Sequence, residues 1–378
     1  MRLVHVAATA PDLMRVAEVM EAFARAGEQE QLLVHTGPPF RDDLARHLFQ
    51  ELGLPKPRLS LGIGAGSRAL RTGRGIIAVE PTLRRADADW VFTIGDAEAI
   101  LAAALVAAKL GLRVARLEAG LRSHEPREPE EINRTLTDRL AHALLTSEPS
   151  ARENLLREGV AENLIHPVGS LTIDVLDRFR ERATEPALLG ALGLEPRRYV
   201  IVLLQRAADA EDASRLRVIL QALGAVTAES ACPAVVPMPQ RLSAVVRAQH
   251  LEPLLAPLHL LRPLGYLEHL VLLESAGAVV TDSGPVQEES TVLGVPCVTL
   301  RRSTERPITV TRGTNRLVDG DLGELPDVIR LAMGSRREPR RPELWDGRTA
   351  ERVVEAIQRR GPTGASDPLG TRPRPALP

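Results

Sequence analysis

Three acidic positions in this chain stand where a parallel sheet puts its reactive groups, just past the carboxyl ends of strands. Asp96, in Ile94-Gly-Asp-Ala97, follows the apolar run Trp90–Ile94. Glu118 follows Arg113–Leu117, and Glu130 and Glu131 open a helix in Pro129-Glu-Glu-Ile-Asn-Arg134. Carboxylates so placed can take and return protons. Each also has a structural reading: Asp96 as a helix cap, Glu118 as a partner for Arg122, Glu130 as a complement to the helix dipole. Convergence of all three on one sheet edge favours acid–base work. A second constellation spans Val280–Ser290. The β-branched run Gly277–Thr281 reads as a buried strand, Asp282-Ser283-Gly284 turns the chain, and Pro285 suits the first helical position. A helix amino terminus at a strand end attracts anions. Glu289, about one turn further in, can reach hydroxyl groups on whatever carries the anion. Together these read as a site for a sugar nucleotide diphosphate; the alternative is an ordinary turn with a capping Ser. Arg306, in Thr304-Glu-Arg-Pro307, can reach phosphate, with Glu305 to orient it. Arg206, beside Gln205 and past the strand Tyr199–Leu204, is a second candidate phosphate ligand.

The elements that must position these groups alternate regularly. Strands are expected at Leu3–Ala8, Gln31–Thr36, Trp90–Ile94, Arg113–Leu117, Ala143–Thr146 and Ile165–Val168. Helices are expected at Asp12–Ala26, Arg41–Leu52, Ala65–Ala86, Glu98–Leu110, Glu130–Leu140, Ser150–Gly159 and Ile173–Arg182. After a Pro- and Gly-rich junction over Ala183–Arg198 the alternation restarts. The fold class is therefore α/β: two Rossmann-like doubly wound domains with an interdomain cleft. Residues 1–183 form the domain carrying the acidic positions and 184–345 the domain with the anion turn. A terminal helix over 346–360 is placed to pack back on the first domain, and the Pro/Gly-rich tail 361–378 reads as disordered. The 378 residues suit two domains. A net charge of −1 argues against nucleic acid or an anionic membrane as partner. No segment reads as a signal peptide or a membrane span, and the expected setting is the cytoplasm. Cys232 and Cys297 sit in apolar runs as buried thiols, and the nine histidines show no metal-ligand spacing. Ala7-Ala8-Thr9-Ala10-Pro11 replaces a dinucleotide fingerprint, so neither metal nor nicotinamide is expected.

Glu118-Ala-Gly-Leu-Arg-Ser123, Pro129-Glu-Glu-Ile-Asn-Arg-Thr-Leu-Thr137, Ala151-Arg-Glu-Asn-Leu-Leu-Arg-Glu-Gly159, Thr281-Asp-Ser-Gly-Pro-Val-Gln-Glu-Glu289 and Thr304-Glu-Arg-Pro307 resemble, in order, the non-hydrolysing UDP-N-acetylglucosamine 2-epimerases. The resemblance runs over about residues 1–360 and implies the GT-B type of two-domain fold. It also implies a homodimer that interconverts UDP-GlcNAc and UDP-ManNAc without a cofactor. In the implied mechanism a proton leaves sugar C2 as UDP leaves C1, and both return with the proton on the other face. By motif, Asp96, Glu118 and Glu130 are the acid–base carboxylates. Ser283 and Gly284 hold the diphosphate through hydroxyl and backbone N–H, Glu289 takes the ribose hydroxyls, and Arg306 lies in a matching motif. The chain departs from the family at Ala10, Gln205 and Ala207, where the family has Arg, His and Arg. Pro285 replaces the second Gly of the diphosphate turn, and Ile308 a Glu. Pro38, Pro39 and Val236-Pro-Met-Pro-Gln240 replace stretches through which an activator nucleotide binds, which implies loss of that regulation. The sequence leaves three functions open: a 2-epimerase, slowed or retuned to a related UDP-sugar; a UDP-sugar-binding homologue without turnover; and a sugar-nucleotide hydrolase or GT-B transferase.

Overall fold

In the computed structural model residues 1–37, 40, 42–183, 186–204, 213–230, 232–318, 322–335 and 338–361 are described. Gln205, Arg206 and Ala207, together with Pro38, Pro39 and the tail beyond Gly361, lie outside them. The chain divides into two compact units, Met1–Val175 together with the stretch from Glu343, and Leu176–Pro342.

The first unit is built on seven parallel strands: β1 (Leu3–Ala7), β2 (Gln31–His35), β3 (Leu59–Ser60), β4 (Trp90–Thr93), β5 (Arg113–Leu117), β6 (Ala143–Thr146) and β7 (Ile165–Pro167). They lie in the order β3-β2-β1-β4-β5-β6-β7, with Val4 opposite both Leu32 and Val91. The connecting helices are α1 (Ala10–Arg25), α2 (Asp42–Arg46), α3 (Arg68–Ala86), α4 (Glu98–Lys109), α5 (Pro129–Arg139), α6 (Pro149–Arg157) and α7 (Leu171–Arg180), whose last residues, like α8 (Pro186–Ala191), fall in the second unit. The second unit repeats the plan with β8 (Val200–Leu203), β9 (Ala234–Pro237), β10 (His259–Leu261), β11 (Ala278–Thr281), β12 (Cys297–Thr299) and β13 (Asn315–Leu317). Their order is β10-β9-β8-β11-β12-β13, again all parallel. Its helices are α9 (Ala213–Ser230), α10 (Gln240–Ala248), α11 (Tyr266–Ser275), α12 (Gly284–Leu293), α13 (Ile308–Thr311) and α14 (Leu325–Met333); α15 (Thr349–Gln358) belongs to the first unit.

Strands covered on both faces must be apolar along their length, and the cores are aliphatic as the composition demands. Val4, Val6, Val91, Ile100, Val114 and Leu144 pack in the first unit; Val200, Val202, Leu220, Val236, Val280 and Ile329 pack in the second. Both strand orders reverse direction, between β1 and β4 and between β8 and β11. Chain leaves the sheet on opposite faces there, opening a crevice at the carboxyl ends. The two Rossmann-like sheets match the expected fold class, with local differences. Helix α1 starts at Ala10 rather than Asp12, because Thr9 caps it and accepts the Asp12 N–H. Helix α3 starts at Arg68, where Ser67 accepts the Leu70 N–H. The helix expected over 41–52 splits into α2 and a π turn, His47–Glu51. Strands β3 and β13, two and three residues long, and α8 within the expected junction were not anticipated. Cys232 and Cys297 are buried thiols, and among the described residues no helix is long and apolar enough to cross a membrane.

Candidate active site

At the carboxyl edge of the first sheet, β1 hands over to α1 through a reciprocal cap. Thr9 accepts the Asp12 N–H, and the Asp12 carboxylate accepts the N–H groups of Ala8 and Thr9 at 3.3 and 3.0 Å. Arg15, one turn along, lies on the same face. Its Nη2 donates to Asp12 Oδ1 at 2.7 Å, and its Nη1 donates to both oxygens of Glu118 at 2.7 Å. Glu118 therefore pairs with Arg15. The Arg122 partnership open in the sequence is not formed: Arg122 binds Asp138 at 2.8 Å and Glu158 at 2.8 Å. Glu118 is also the point where β5 ends in a left-handed residue, φ +55°. A non-glycine residue held there is strained by roughly 1–2 kcal/mol, so the surroundings must fix it. They do: Ala119 N–H donates to Leu145 O, Gly120 N–H to Asp138 at 2.9 Å, and Asn154 to Gly120 O at 2.9 Å.

Asp96 does not cap α4, whose N-cap is Ala97 with no side-chain capping bond. Its carboxylate takes Arg134 Nη1 at 2.7 Å, its carbonyl takes Asn133 Nδ2 at 2.8 Å, and its side chain keeps 39% exposure. Helix α5 separates the two adjacent glutamates. Glu131 turns inward to the N–H groups of Ser123 and His124 and to Arg134. Burial opposes its charge, yet those donors hold its pKa below the usual glutamate range. Glu130 stays 35% exposed and meets Arg68 at 3.2 Å. The structure thus brings Asp96 and Glu118 into one electrostatic neighbourhood around Asp12, whose pKa burial raises, Arg15 lowers, and both acids raise further. Arg116 lies beneath, 3.5 Å from Asp138, with its pKa lowered by burial against the pull of Asp138, Asp96 and Glu118. Glu130 stands farther out, on the helix that grips Asp96. Ala10, where the resemblance expects Arg, opens α1; the cation of that helix that reaches the acids is Arg15.

In the second unit, β11 ends at Thr281, whose hydroxyl donates to Leu203 O on β8 and accepts the Ser283 N–H at 3.0 Å. This pins the start of α12 at the switch point. Ser283 is its N-cap residue and makes no side-chain capping bond. A first helical turn leaves N–H groups without partners inside the helix. Arg306 crosses this end: a Cβ on Gly284 would lie 2.3 Å from Arg306 Nη1, so only glycine admits the guanidinium. Glu305, expected to orient Arg306, instead pairs with Arg301 at 2.6 and 2.9 Å, and Glu288 takes that role, 3.0 Å from Arg306 Nε. Gln287 ties the Thr304–Pro307 loop to α12, accepting Thr304 at 2.6 Å and Asn315 at 3.1 Å. Glu289, 3% exposed, accepts the Tyr266 hydroxyl and His269 Nε2. The sequence reading missed Arg15, Glu288, Tyr266 and His269. For the last two a signal existed: polar rings three apart in the first turn of a helix rich in Leu and Val. Among the described residues no group of three or more His, Cys, Asp or Glu could hold a metal.

The family model described as UDP-N-acetylglucosamine 2-epimerase matches residues 21–358. The UDP-N-acetylglucosamine 2-epimerase of Methanocaldococcus jannaschii is 32% identical over 364 residues, covering 94% of this chain and 99% of that protein. Its crystal structure with UDP-GlcNAc and UDP superposes with a TM-score of 0.89, over 95% of this chain and 100% of that one. The UDP-2,3-diacetamido-2,3-dideoxy-D-glucuronate 2-epimerase of Pseudomonas aeruginosa is likewise 32% identical, over 94% of this chain and 99% of its own length.

Proposed function

The chain belongs to the UDP-N-acetylglucosamine 2-epimerase family, and we propose from that premise that it interconverts UDP-GlcNAc and UDP-ManNAc by elimination and re-addition of UDP. A carboxylate takes the C2 proton as the C1–O bond breaks toward UDP, leaving a double bond between C1 and C2. UDP then returns to C1, and a proton reaches C2 on the opposite face. Inversion requires acid–base groups for both faces, and Asp96, Glu118 and Glu130 are assigned those roles. Ser283, Gly284 and Arg306 are assigned the diphosphate, whose charge grows as it leaves. Glu289 is assigned the ribose hydroxyls, and Arg206 a further phosphate contact.

The observation that carries this reading is Asp96 and Glu118 held together beside Asp12, Arg15 and Arg134 at one sheet edge. A module that only binds nucleotide needs only the Ser283–Glu289 stretch. A homodimer in the cytoplasm is proposed on family grounds alone; a monomeric mass in sedimentation would remove the dimer. Equal identity to the diacetamido-glucuronate enzyme supports a second reading, the same chemistry on a related UDP-sugar.

The test is incubation with UDP-GlcNAc in deuterated water, followed by NMR. Deuterium at C2 with UDP-ManNAc is the expected result. Free UDP with a released sugar means a hydrolase, and binding without change means a non-catalytic homologue. If only the diacetamido-glucuronate exchanges, the second reading holds.

A further inference from the structure

Glu289 is a buried carboxylate with both oxygens engaged from one helix. Tyr266 donates its hydroxyl to Oε1 at 2.8 Å, and His269 Nε2 lies 2.9 Å from Oε2. A carboxylate at such a distance accepts, so His269 carries its hydrogen on Nε2. The two donors are three residues apart in the first turn of α11 and therefore share a face. Their rings stack, with centroids 5.7 Å apart and planes at 17°. Phe179 also meets Tyr266 edge-on, with centroids 5.9 Å apart.

A carboxylate has about four lone-pair directions, and this clamp uses one on each oxygen. One remains on each oxygen, which suits two hydroxyl groups on adjacent carbons. We infer that Tyr266 and His269 are positioning residues that shape Glu289 into a reader of the ribose diol, so that the site selects ribonucleoside diphosphates over their 2′-deoxy counterparts. This rests on the assignment of α12 to the nucleotide and adds the basis of sugar discrimination. A site built to bond a hydroxyl group rejects the analogue that lacks it, because the acceptor is left unmatched.

The test is calorimetric titration of the full chain with UDP and with 2′-deoxy-UDP. Wild type is expected to bind UDP about tenfold more tightly or better. His269→Leu should weaken UDP about tenfold while changing 2′-deoxy-UDP less than about twofold, collapsing the ratio. His269→Gln, which keeps an N–H donor, should restore most of it. Tyr266→Phe, which keeps the ring and the packing, gives the same readout independently. If His269→Leu and Tyr266→Phe weaken both nucleotides equally, the residues are merely structural and the inference fails. If wild type binds both equally well, the inference fails but the nucleotide site stands. If it binds neither, the assignment of α12 itself is overturned.

Discussion

Glu118, proposed as one of the acid–base groups, is held still and kept paired by one guanidinium. Arg15 spans both Glu118 oxygens and Asp12, with all three side chains 8% exposed or less. Removing one partner from such a buried group leaves uncompensated charge and costs about 3–5 kcal/mol. Arg15→Met should therefore lower stability by about 3 kcal/mol in urea and stop C2 exchange. Arg15→Lys keeps the charge without the fork, so it should keep most of the stability and lose at least about tenfold in rate. Wild-type rate in Arg15→Lys would mean the fork does not matter. Glu118→Gln should stop exchange while leaving UDP affinity nearly intact; equal loss of both would mark Glu118 as structural. The acids could be placed past strand ends because the regular alternation of helix and short strand located Trp90–Ile94 and Arg113–Leu117. Arg15 was not, since a cation on an amphipathic helix looks the same whether its face meets solvent or a sheet edge. Glu305 was misread for a related reason: sequence adjacency to Arg306 says nothing about which carboxylate its guanidinium reaches.

Two glycines at element junctions separate folding from binding. Gly120 ends the Glu118 turn at φ +80°, and a Cβ there would lie 2.2 Å from the carbonyl oxygen of Ala151. Backbone does not yield cheaply, so Gly120→Ala should cost about 2–5 kcal/mol, read as a drop in the urea midpoint. Gly284 is crowded at a similar distance, but by the tip of Arg306. That tip can swing away at the expense of its contact with Glu288. Gly284→Ala should cost about 1–3 kcal/mol in stability, because buried Glu288 loses that contact, while lowering UDP affinity about tenfold. Unchanged UDP affinity would remove Arg306 and the α12 end from the nucleotide site. The strand–helix alternation could be read because most central strands are short, largely apolar runs between longer amphipathic or Ala-rich segments. The edge strands β3 and β13 could not, since two or three residues give no period. Helix starts shifted wherever a hydroxyl cap fixed them, at Thr9 for α1 and at Ser67 for α3.

The first unit is completed by chain from the far end of the sequence. Trp345, fully buried, donates Nε1–H to Ser147 O at 2.9 Å, and Asp174 accepts the N–H groups of Thr349 and Ala350 that open α15. The chain has two tryptophans, Trp90 and Trp345, and both lie in this unit, so their fluorescence follows its unfolding separately from that of the second unit. The unit also contains His5, fully buried in β1, bonded to Gln31 at 2.8 Å and stacked on Phe92 at 4.9 Å. Burial lowers its pKa to about 4, against 6.5 for the ordinary group. Above pH 6.5 the imidazole is neutral in both states and contributes nothing to the pH dependence. Between pH 6.5 and about 4 the unfolded chain binds a proton that the folded unit refuses, so stability falls as pH falls. Below about 4 both states are protonated and that loss is complete. At ~1.4 kcal/mol for each pH unit between the two values, the loss is roughly 3 kcal/mol. Asp12, raised by burial, works in the opposite sense as it gains a proton, so the comparison must be with a variant. Urea midpoints followed by tryptophan fluorescence should drop for wild type between pH 6.5 and 4. His5→Leu, less stable at pH 7 because Gln31 Oε1 loses the imidazole, should show a shallower slope over that window. Parallel slopes for the two proteins would mean that the acid sensitivity of this unit lies elsewhere.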